Sequence, residues 1–393
     1  MRTKILLAAL SLTMALTVSA CKGPGDEKVQ YDRPLPPGQL GLRRIVDPYD
    51  IPDFTIACCN KGNLKAAVQN SLNYLSKPSS KQFFPYGYIT HEHAVASLNE
   101  FASLLDTALV GRKLNAAIVN RFDVYTSVGC DDKGTVLFTG YYTPIFDGSL
   151  ERTERFAYPL YSQPDDLVKD SYGKILGRKS ATGAISQYPS RKEIRASQML
   201  EGTEIAWLGN PFEVYIAHVQ GSVKIRPSDG ELITMGYAAS NGHEYHSIAK
   251  DIVDDGKIPA DQMSLDAMID YFSDHPEDIE KYINSNPRFV FFRLSDGDPH
   301  GSLNEPVIAK RSVATDKDIY PRGCLTFMET KLPRLYRGEI SIRTFTGFAL
   351  DQDTGGAIRA PGRCDIYMGQ GDTAGKLAGK IYQPGRFYYL FLK

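Results

Sequence analysis

A mainly β chain, folded as two β-rich, barrel-like domains with several helices, is what this sequence predicts. Three observations carry that expectation. From Gly134 onward the apolar residues come in short runs broken by Gly, Pro and Asp, the texture of strands joined by turns. Helical spacing appears in only a few segments. Once the N-terminal stretch is set aside, roughly 350 residues remain, more than a single hydrophobic core usually serves.

The elements follow in order. Arg2 and Lys4 precede an apolar stretch over residues 5–17, and Val18-Ser19-Ala20-Cys21 comes next. The stretch is too short to span a bilayer and ends in small residues, so residues 1–20 read as a secretory signal peptide. A cysteine directly after Val-Ser-Ala resembles the bacterial lipobox, which implies cleavage before Cys21 and lipidation of that residue. Lys22 rather than Asp follows it, which points to the outer membrane and the periplasm. Residues 21–40 are rich in Lys, Asp, Gly and Pro without apolar periodicity, and read as a flexible tether.

Leu64, Val68, Leu72 and Leu75 recur at helical spacing, as do Val95, Leu98, Phe101, Leu104 and Leu105. His91 and His93 open the second of these helices. At i and i+2 they fall on different faces, so they read as polar surface rather than a metal pair. Residues 135–139, 212–219, 288–294 and 387–392 are strand candidates. Residues 247–253, 264–272 and 276–283 are expected to be helical, with Ser264 as a cap and Pro276 at a first helical position.

Composition narrows the function. With 45 Lys and Arg against 46 Asp and Glu, the formal charge is −1 and no long basic run exists, so nucleic acid is not an expected partner. A neutral polymer fits better, because 23 tyrosines offer faces on which sugar rings can stack. Five cysteines remain after Cys21, namely Cys58, Cys59, Cys130, Cys324 and Cys364; an odd number leaves at least one free. There is no CxxC pair, no nucleophile elbow and no phosphate-binding loop, and His243-Glu-Tyr-His246 is one residue short of the zinc-binding spacing. No metal or other cofactor is expected.

The chemistry concentrates near the C-terminus, in DQDTGGAIRAPGRCDIYMGQG over residues 351–371. Asp353 precedes a Thr-Gly-Gly turn, and an Asp before two glycines often does no more than shape that turn. Asp365 is different. It lies in Cys364-Asp-Ile-Tyr-Met368, which alternates like a strand, and strands disfavour Asp. A carboxylate fixed there, with its pKa raised by burial, suits proton transfer.

Asp316, within residues 312–323, completes a set of three with Asp353 and Asp365. These segments resemble the three-Asp domain named for such aspartates. Upstream stand FTGYYTP (138–144), YPLY (158–161), PSRKEI (189–194), HVQGS (218–222), YAASNGHEY (237–245) and NPRFVFF (286–292). From about residue 135 to the C-terminus the chain is similar to the membrane-bound lytic murein transglycosylase A family. The resemblance implies a double-psi β-barrel domain built from residues 41–147 and 298–393, with a smaller β-barrel domain, residues 148–297, inserted into it.

It also implies a reaction. Such enzymes cleave the β-1,4 bond between N-acetylmuramic acid and N-acetylglucosamine in peptidoglycan, and the muramic acid's own 6-hydroxyl replaces water as nucleophile. One carboxyl then suffices where glycoside hydrolases need two. By resemblance the acid/base is Asp365, supported by Asp353 and Asp316, and substrate contacts fall on Thr143, Tyr142, Gln220, Gly221 and Ser222. Peptidoglycan glycan strands are the expected partner, the membrane is reached through lipid on Cys21, and cell-wall synthesis or division proteins are candidate protein partners. Val223 stands where the family has a second Gly after VQGS, and Cys364 before the catalytic Asp is unusual; its pairing with Cys324 is conceivable if their strands adjoin. Two other readings stay open at this level: a catalytically silent glycan-binding lipoprotein, and a two-carboxylate hydrolase on the same fold.

Overall fold

The computed structural model describes residues 29–393. The signal-peptide and Cys21 readings lie outside the described residues. Among those described, no helix is long and apolar enough to cross a membrane. The stretch read as tether is docked from Arg33, which pairs with Asp132 at 2.8 Å.

A closed six-stranded barrel forms the larger body. Val136–Thr143 pairs with Tyr382–Leu392, which pairs with Leu325–Tyr336. Next come Glu339–Asp353, Ser312–Ala314 and Arg363–Gln370, and the last returns to Val136–Thr143. Two pairings are parallel, Ser312–Ala314 with Glu339–Asp353 and Arg363–Gln370 with Val136–Thr143. This is the expected double-psi barrel. Its interior is filled by alternating residues such as Phe138, Val313, Met328, Ala349, Ile366 and Phe387, while Phe327 and Phe348 point outward against Phe54. The helices Leu64–Ser76, His91–Asp106 and Gly111–Arg121 extend that core outside the barrel.

A second six-stranded sheet runs Val290–Ser295, Ile233–Ser240, Val223–Arg226, Ile145–Ser149, Glu204–Leu208 and Tyr158–Tyr161. A parallel bridge from Ser162 to Phe292 closes it into a smaller barrel around Leu160, Leu208, Ile225 and Phe292. The expected mainly β architecture of two barrels with several helices is therefore present. Ser264 caps the helix Leu265–Asp274 by accepting from Ala267 N, as its position predicts.

Residues 212–219 are not a strand. They belong to the helix Pro211–Gln220, started by Asn210, whose side chain accepts from Glu213 N, and by Pro211 at its first turn. Phe212 and the run from Val214 to His218 are all buried, because the helix lies between the small barrel and a helical cluster. A short segment that is apolar on every side has no period to separate helix from strand. Gly221 ends the helix at φ +78°, a left-handed cap that glycine adopts without strain. Val223 follows in regular strand, its side chain fully buried in the small barrel.

The surface reading of the histidine pair is also corrected. His91 is buried, its ring bonded to Ser80 Oγ at 2.9 Å and Leu75 O at 3.0 Å, while His93 meets Leu392 O at 2.6 Å. Both use their ring nitrogens to fasten the helix His91–Asp106. Cys324 and Cys364 are free and buried; Cys324 leads into Leu325–Tyr336 and Cys364 lies in Arg363–Gln370, strands that are not neighbours in the barrel.

Candidate active site

Strand register assembles the site. Ala314 lies opposite Asp353 on one side and opposite Asp365 on the other. Asp365 in turn lies opposite Thr139. Laterally paired residues share a face of the sheet, so Asp353, Ala314, Asp365 and Thr139 form one row on the outside of the large barrel. The two aspartates stand two strands apart, about 10 Å between backbones, with only a methyl group between them.

Asp351 and Asp353 would share a face in a regular strand. A bulge separates them, since Val313 faces Asp351 while the next residue, Ala314, faces Asp353. The extra residue re-aims the chain. Asp351 turns into the barrel and is fully buried, where it pairs with Lys317 and accepts from Tyr389 OH at 2.7 Å and Thr315 Oγ at 2.8 Å. Asp353 turns outward.

The two outward carboxyls differ in their surroundings. Asp353 Oδ1 accepts from Ser302 N and Thr354 N, both at 2.8 Å, and Oδ2 accepts from Tyr141 OH at 2.9 Å. Gly301 permits this approach; a Cβ there would sit 3.1 Å from the Asp353 carboxyl carbon and 2.7 Å from Gln352 O. Burial pushes the Asp353 pKa up, and those hydrogen bonds with the Lys317 charge pull against it. Burial and then the Asp353 charge hold the Tyr141 phenol far above its ordinary range, so it remains a donor.

Asp365 is less engaged. Thr139 Oγ donates to Oδ1, and Arg363 Nη2 lies 3.8 Å from the same atom. Oδ2 accepts from no described group, and the side chain keeps 18 % of its exposure. Burial raises its pKa above the usual carboxylate range, while the Arg363 charge and the Thr139 hydroxyl oppose the rise. A carboxyl that is desolvated, reachable and half unpartnered is suited to exchange a proton with a bound molecule.

Asp316 takes a different place. Its Oδ1 accepts from Asp318 N and its Oδ2 from Ala360 N, both at 3.1 Å. It clamps the loop after Ala314 to the loop that precedes the strand of Asp365, and its own carboxylate is spent on backbone.

The remaining residues singled out from sequence meet where the barrels join. Thr143 is fully buried, its hydroxyl 3.1 Å from Ser222 Oγ and 3.0 Å from Tyr367 OH. Gln220 Oε1 accepts from Tyr142 N at 3.1 Å, which leaves the Gln220 amide nitrogen without a described partner. Tyr142 is itself buried beneath the helix Gly371–Ala378. Of these, Gln220 and Gly221 are partly exposed. His243 and His246 go elsewhere, to Tyr188 O at 2.7 Å and to Asp251 at 2.8 Å.

Sequence reasoning missed Thr139, Arg363, Ser302 and the Lys317–Asp351 pair. Thr139 was within reach: it stands two and four residues before Tyr141 and Thr143, on the face they share. Arg363 stands in the same relation to Asp365. Ser302 and Lys317 are brought in by loops, and no local pattern marks them.

The chain and its fold have counterparts among known proteins. The family model for the MltA specific insert domain matches residues 137–293, and the 3D domain model matches residues 311–391. The Escherichia coli K12 membrane-bound lytic murein transglycosylase A is 32% identical over 276 residues, 68% of this chain and 69% of that protein. The Vibrio cholerae protein of the same name is 26% identical over 398 residues, spanning 100% of this chain and 95% of its own. Among solved structures, E. coli MltA with bound chitohexaose has a TM-score of 0.66 at 27% identity, covering 93% of this chain and 96% of that one. The membrane-bound lytic murein transglycosylase from Agrobacterium tumefaciens shares the fold, with a TM-score of 0.74 at 24% identity over 90% of this chain and 98% of its own. The chain belongs to the membrane-bound lytic murein transglycosylase A family, and is an enzyme that cleaves peptidoglycan.

Proposed function

We propose that this enzyme forms 1,6-anhydromuramic acid ends with Asp365 as its single acid/base, on glycan strands lying between the two barrels. The observation that carries this is the contrast between the carboxyls. Asp353 has both oxygens committed to three donors, whereas Asp365 Oδ2 is unpartnered.

In the first step Asp365 donates its proton to the glycosidic oxygen as the C1–O bond breaks. The resulting carboxylate then takes the proton of the muramic acid 6-hydroxyl as that oxygen bonds to C1. The proton count returns to its start and no water is consumed. Because the nucleophile belongs to the substrate, its attack is intramolecular and the entropic part of the barrier is small. Desolvation favours the protonated Asp365 that the first step needs, and the nearby Arg363 charge favours the carboxylate that the second needs.

Asp353, held with Tyr141, offers a fixed negative charge about two strands away, suited to developing positive charge on the sugar. Asp316 acts at a distance by bracing the loops around both. The free amide nitrogen of Gln220 suits an N-acetyl carbonyl, with Thr143, Tyr142, Gly221 and Ser222 holding its backbone and side chain in place. Residues 41–147 with 298–393 and residues 148–297 act as the two jaws. Lipid on Cys21 tethers the enzyme to the outer membrane, facing the periplasm.

The test is mass spectrometry of fragments released from peptidoglycan by the wild type and by Asp365→Asn. Fragments one water lighter than hydrolysed muropeptides are expected from the wild type. Asp365→Asn should lose about a hundred- to ten-thousandfold in rate while still binding glycan, the range one proton donor typically carries. Fragments at the hydrated mass would assign a hydrolase instead. Substantial turnover by Asp365→Asn would remove that residue from the acid/base role.

A further inference from the structure

The strands Leu325–Tyr336 and Glu339–Asp353 pair without interruption from Leu325 opposite Leu350 out to Tyr336 opposite Glu339. Their neighbours cover only the base. Tyr382–Leu392 pairs with residues 326–329, and Ser312–Ala314 pairs with the far end of the second strand, from Leu350 to Asp353. Beyond that base the hairpin projects as a two-stranded arm. Between the arm and the barrel lies a cleft of about 980 Å³, lined among others by Lys310, Arg334, Tyr336, Glu339, Arg343 and Leu377.

The cleft is positively charged and unneutralised. Arg334 and Arg343 share the face of the arm that alternation directs the same way, since Leu332 lies opposite Arg343 and Arg334 opposite Ser341. Lys310 faces them from the barrel. None of the three forms an ion pair or a side-chain hydrogen bond with another described residue, and Glu339 is the one acid in the lining. Burial, and then the charge of Arg334, hold the Lys310 ammonium below its ordinary range, the sign expected for cations crowded without a counter-ion. The cleft also adjoins the strand that carries Asp365. Lys310 N donates to Tyr367 O at 2.7 Å, two residues along the strand from Asp365.

We propose that this cleft binds the carboxylates of the peptide stems on peptidoglycan, so that the enzyme grips the peptide of a strand whose sugar it cuts. The inference rests on the peptidoglycan reading above. Charge complementarity supports it, because each stem carries several carboxylates and the cleft offers three cations against one acid. Shape supports it as well: a concave cleft admits a peptide, whereas a flat bilayer would meet only the tip. Position supports it, because a ligand in the cleft begins beside the strand of the catalytic acid.

The experiment uses the full chain in detergent, as wild type, as Arg334→Ser/Arg343→Ser, and as Arg334→Lys/Arg343→Lys. All three positions are exposed or half-exposed, so the variants should fold, which their melting curves will check. Substrates are stem-bearing glycan strands and the same strands stripped by an amidase. For the Ser variant the KM on stem-bearing strands should rise roughly three- to tenfold at low salt, the size expected for two half-exposed ion pairs. Its kcat, and its KM on stripped strands, should stay unchanged, and the Lys variant should recover most of the loss. Co-sedimentation with intact sacculi should fall in parallel, and pull-down on stripped strands immobilised at their reducing ends should not.

Equal changes on both substrates, or none, would overturn the proposal. So would loss of binding to phosphatidylglycerol vesicles with sacculus binding intact, which would make the arm a membrane contact. If the wild type released no fragments from either substrate, the enzymatic reading would fail, and the two binding assays would still decide the cleft.

Discussion

Two buried cations, Lys317 in the large barrel and Arg191 beside the small one, are balanced in opposite ways. Inside the large barrel Lys317 is matched by Asp351, with Thr315 and Tyr389 completing the shell around the carboxylate. Beside the small barrel Arg191 is just as deeply buried but has no anion. Its guanidinium donates to Asn286 O at 3.1 Å, to His218 Nδ1 at 3.0 Å and to Arg288 O at 2.5 Å. It also lies over the rings of Tyr215 and Phe289, 5.0 and 5.4 Å from their centroids. Burial brings Arg191 down to about 10, and pushes His218 well below its usual range, so the imidazole is neutral and can accept. One charge is balanced by an opposite charge, the other by dipoles and aromatic faces.

The difference teaches what each network is for. Lys317 anchors residues 315–317 to the strand of Asp353, where Thr315 N donates to Asp353 O at 3.1 Å, so the ion pair braces the proposed site of proton transfer. Arg191 joins the helix Pro211–Gln220, through His218, to the chain around Asn286 and Arg288. It therefore fixes the helix end that carries Gln220.

The largest effect separating them should come from Lys317→Met. Removing one partner strands a buried carboxylate, which costs about 3–5 kcal/mol. Replacing both, as Lys317→Met/Asp351→Leu, should recover much of that in chemical denaturation, because neither charge is then left unpaired. If the double variant is as unstable as the sum of the single ones, the pair is not the balanced unit described here.

Arg191→Met should cost less, about 2–3 kcal/mol, since it leaves neutral acceptors rather than a charge without a donor. Its second signature is a higher KM with little change in kcat, as Gln220 loses its fixed position. A loss equal to that of Lys317→Met would erase the contrast between the barrels.

Much of this was legible in the sequence, and the residues show why the rest was not. Asp365 announced itself because an acid in an alternating apolar strand has few structural excuses. The helices Leu64–Ser76 and His91–Asp106 were legible because each packs one face only. The helix Pro211–Gln220 was not, because it is buried on nearly every side and shows no period. The inward turn of Asp351 was hidden too: period-two reasoning puts it beside Asp353, and only the bulge between them separates their fates. His91 looked like surface because the acceptors that bury it, Leu75 and Ser80, belong to the preceding turn of chain and leave no pattern.

The smallest effect is also the sharpest test of how charge is used. Arg363 is the cation nearest the proposed acid, and a nearby cation favours the carboxylate form. Arg363→Gln should therefore raise the Asp365 pKa further. In the proposed reaction turnover begins with protonated Asp365, so activity falls as pH rises through that pKa, and the alkaline limb of kcat/KM should move to higher pH in the variant. Thr139→Val should move it the same way, because it removes a donor to the carboxylate. Arg363→Lys, which keeps the charge, should leave the limb close to the wild type. Arg191→Met serves as the control from the other barrel, since its guanidinium touches no carboxylate and its loss should leave the limb in place. A limb that moves to lower pH in Arg363→Gln would mean that the titrating acid is not Asp365. Movement in Arg191→Met would mean that the two barrels share one electrostatic network rather than keeping separate ones.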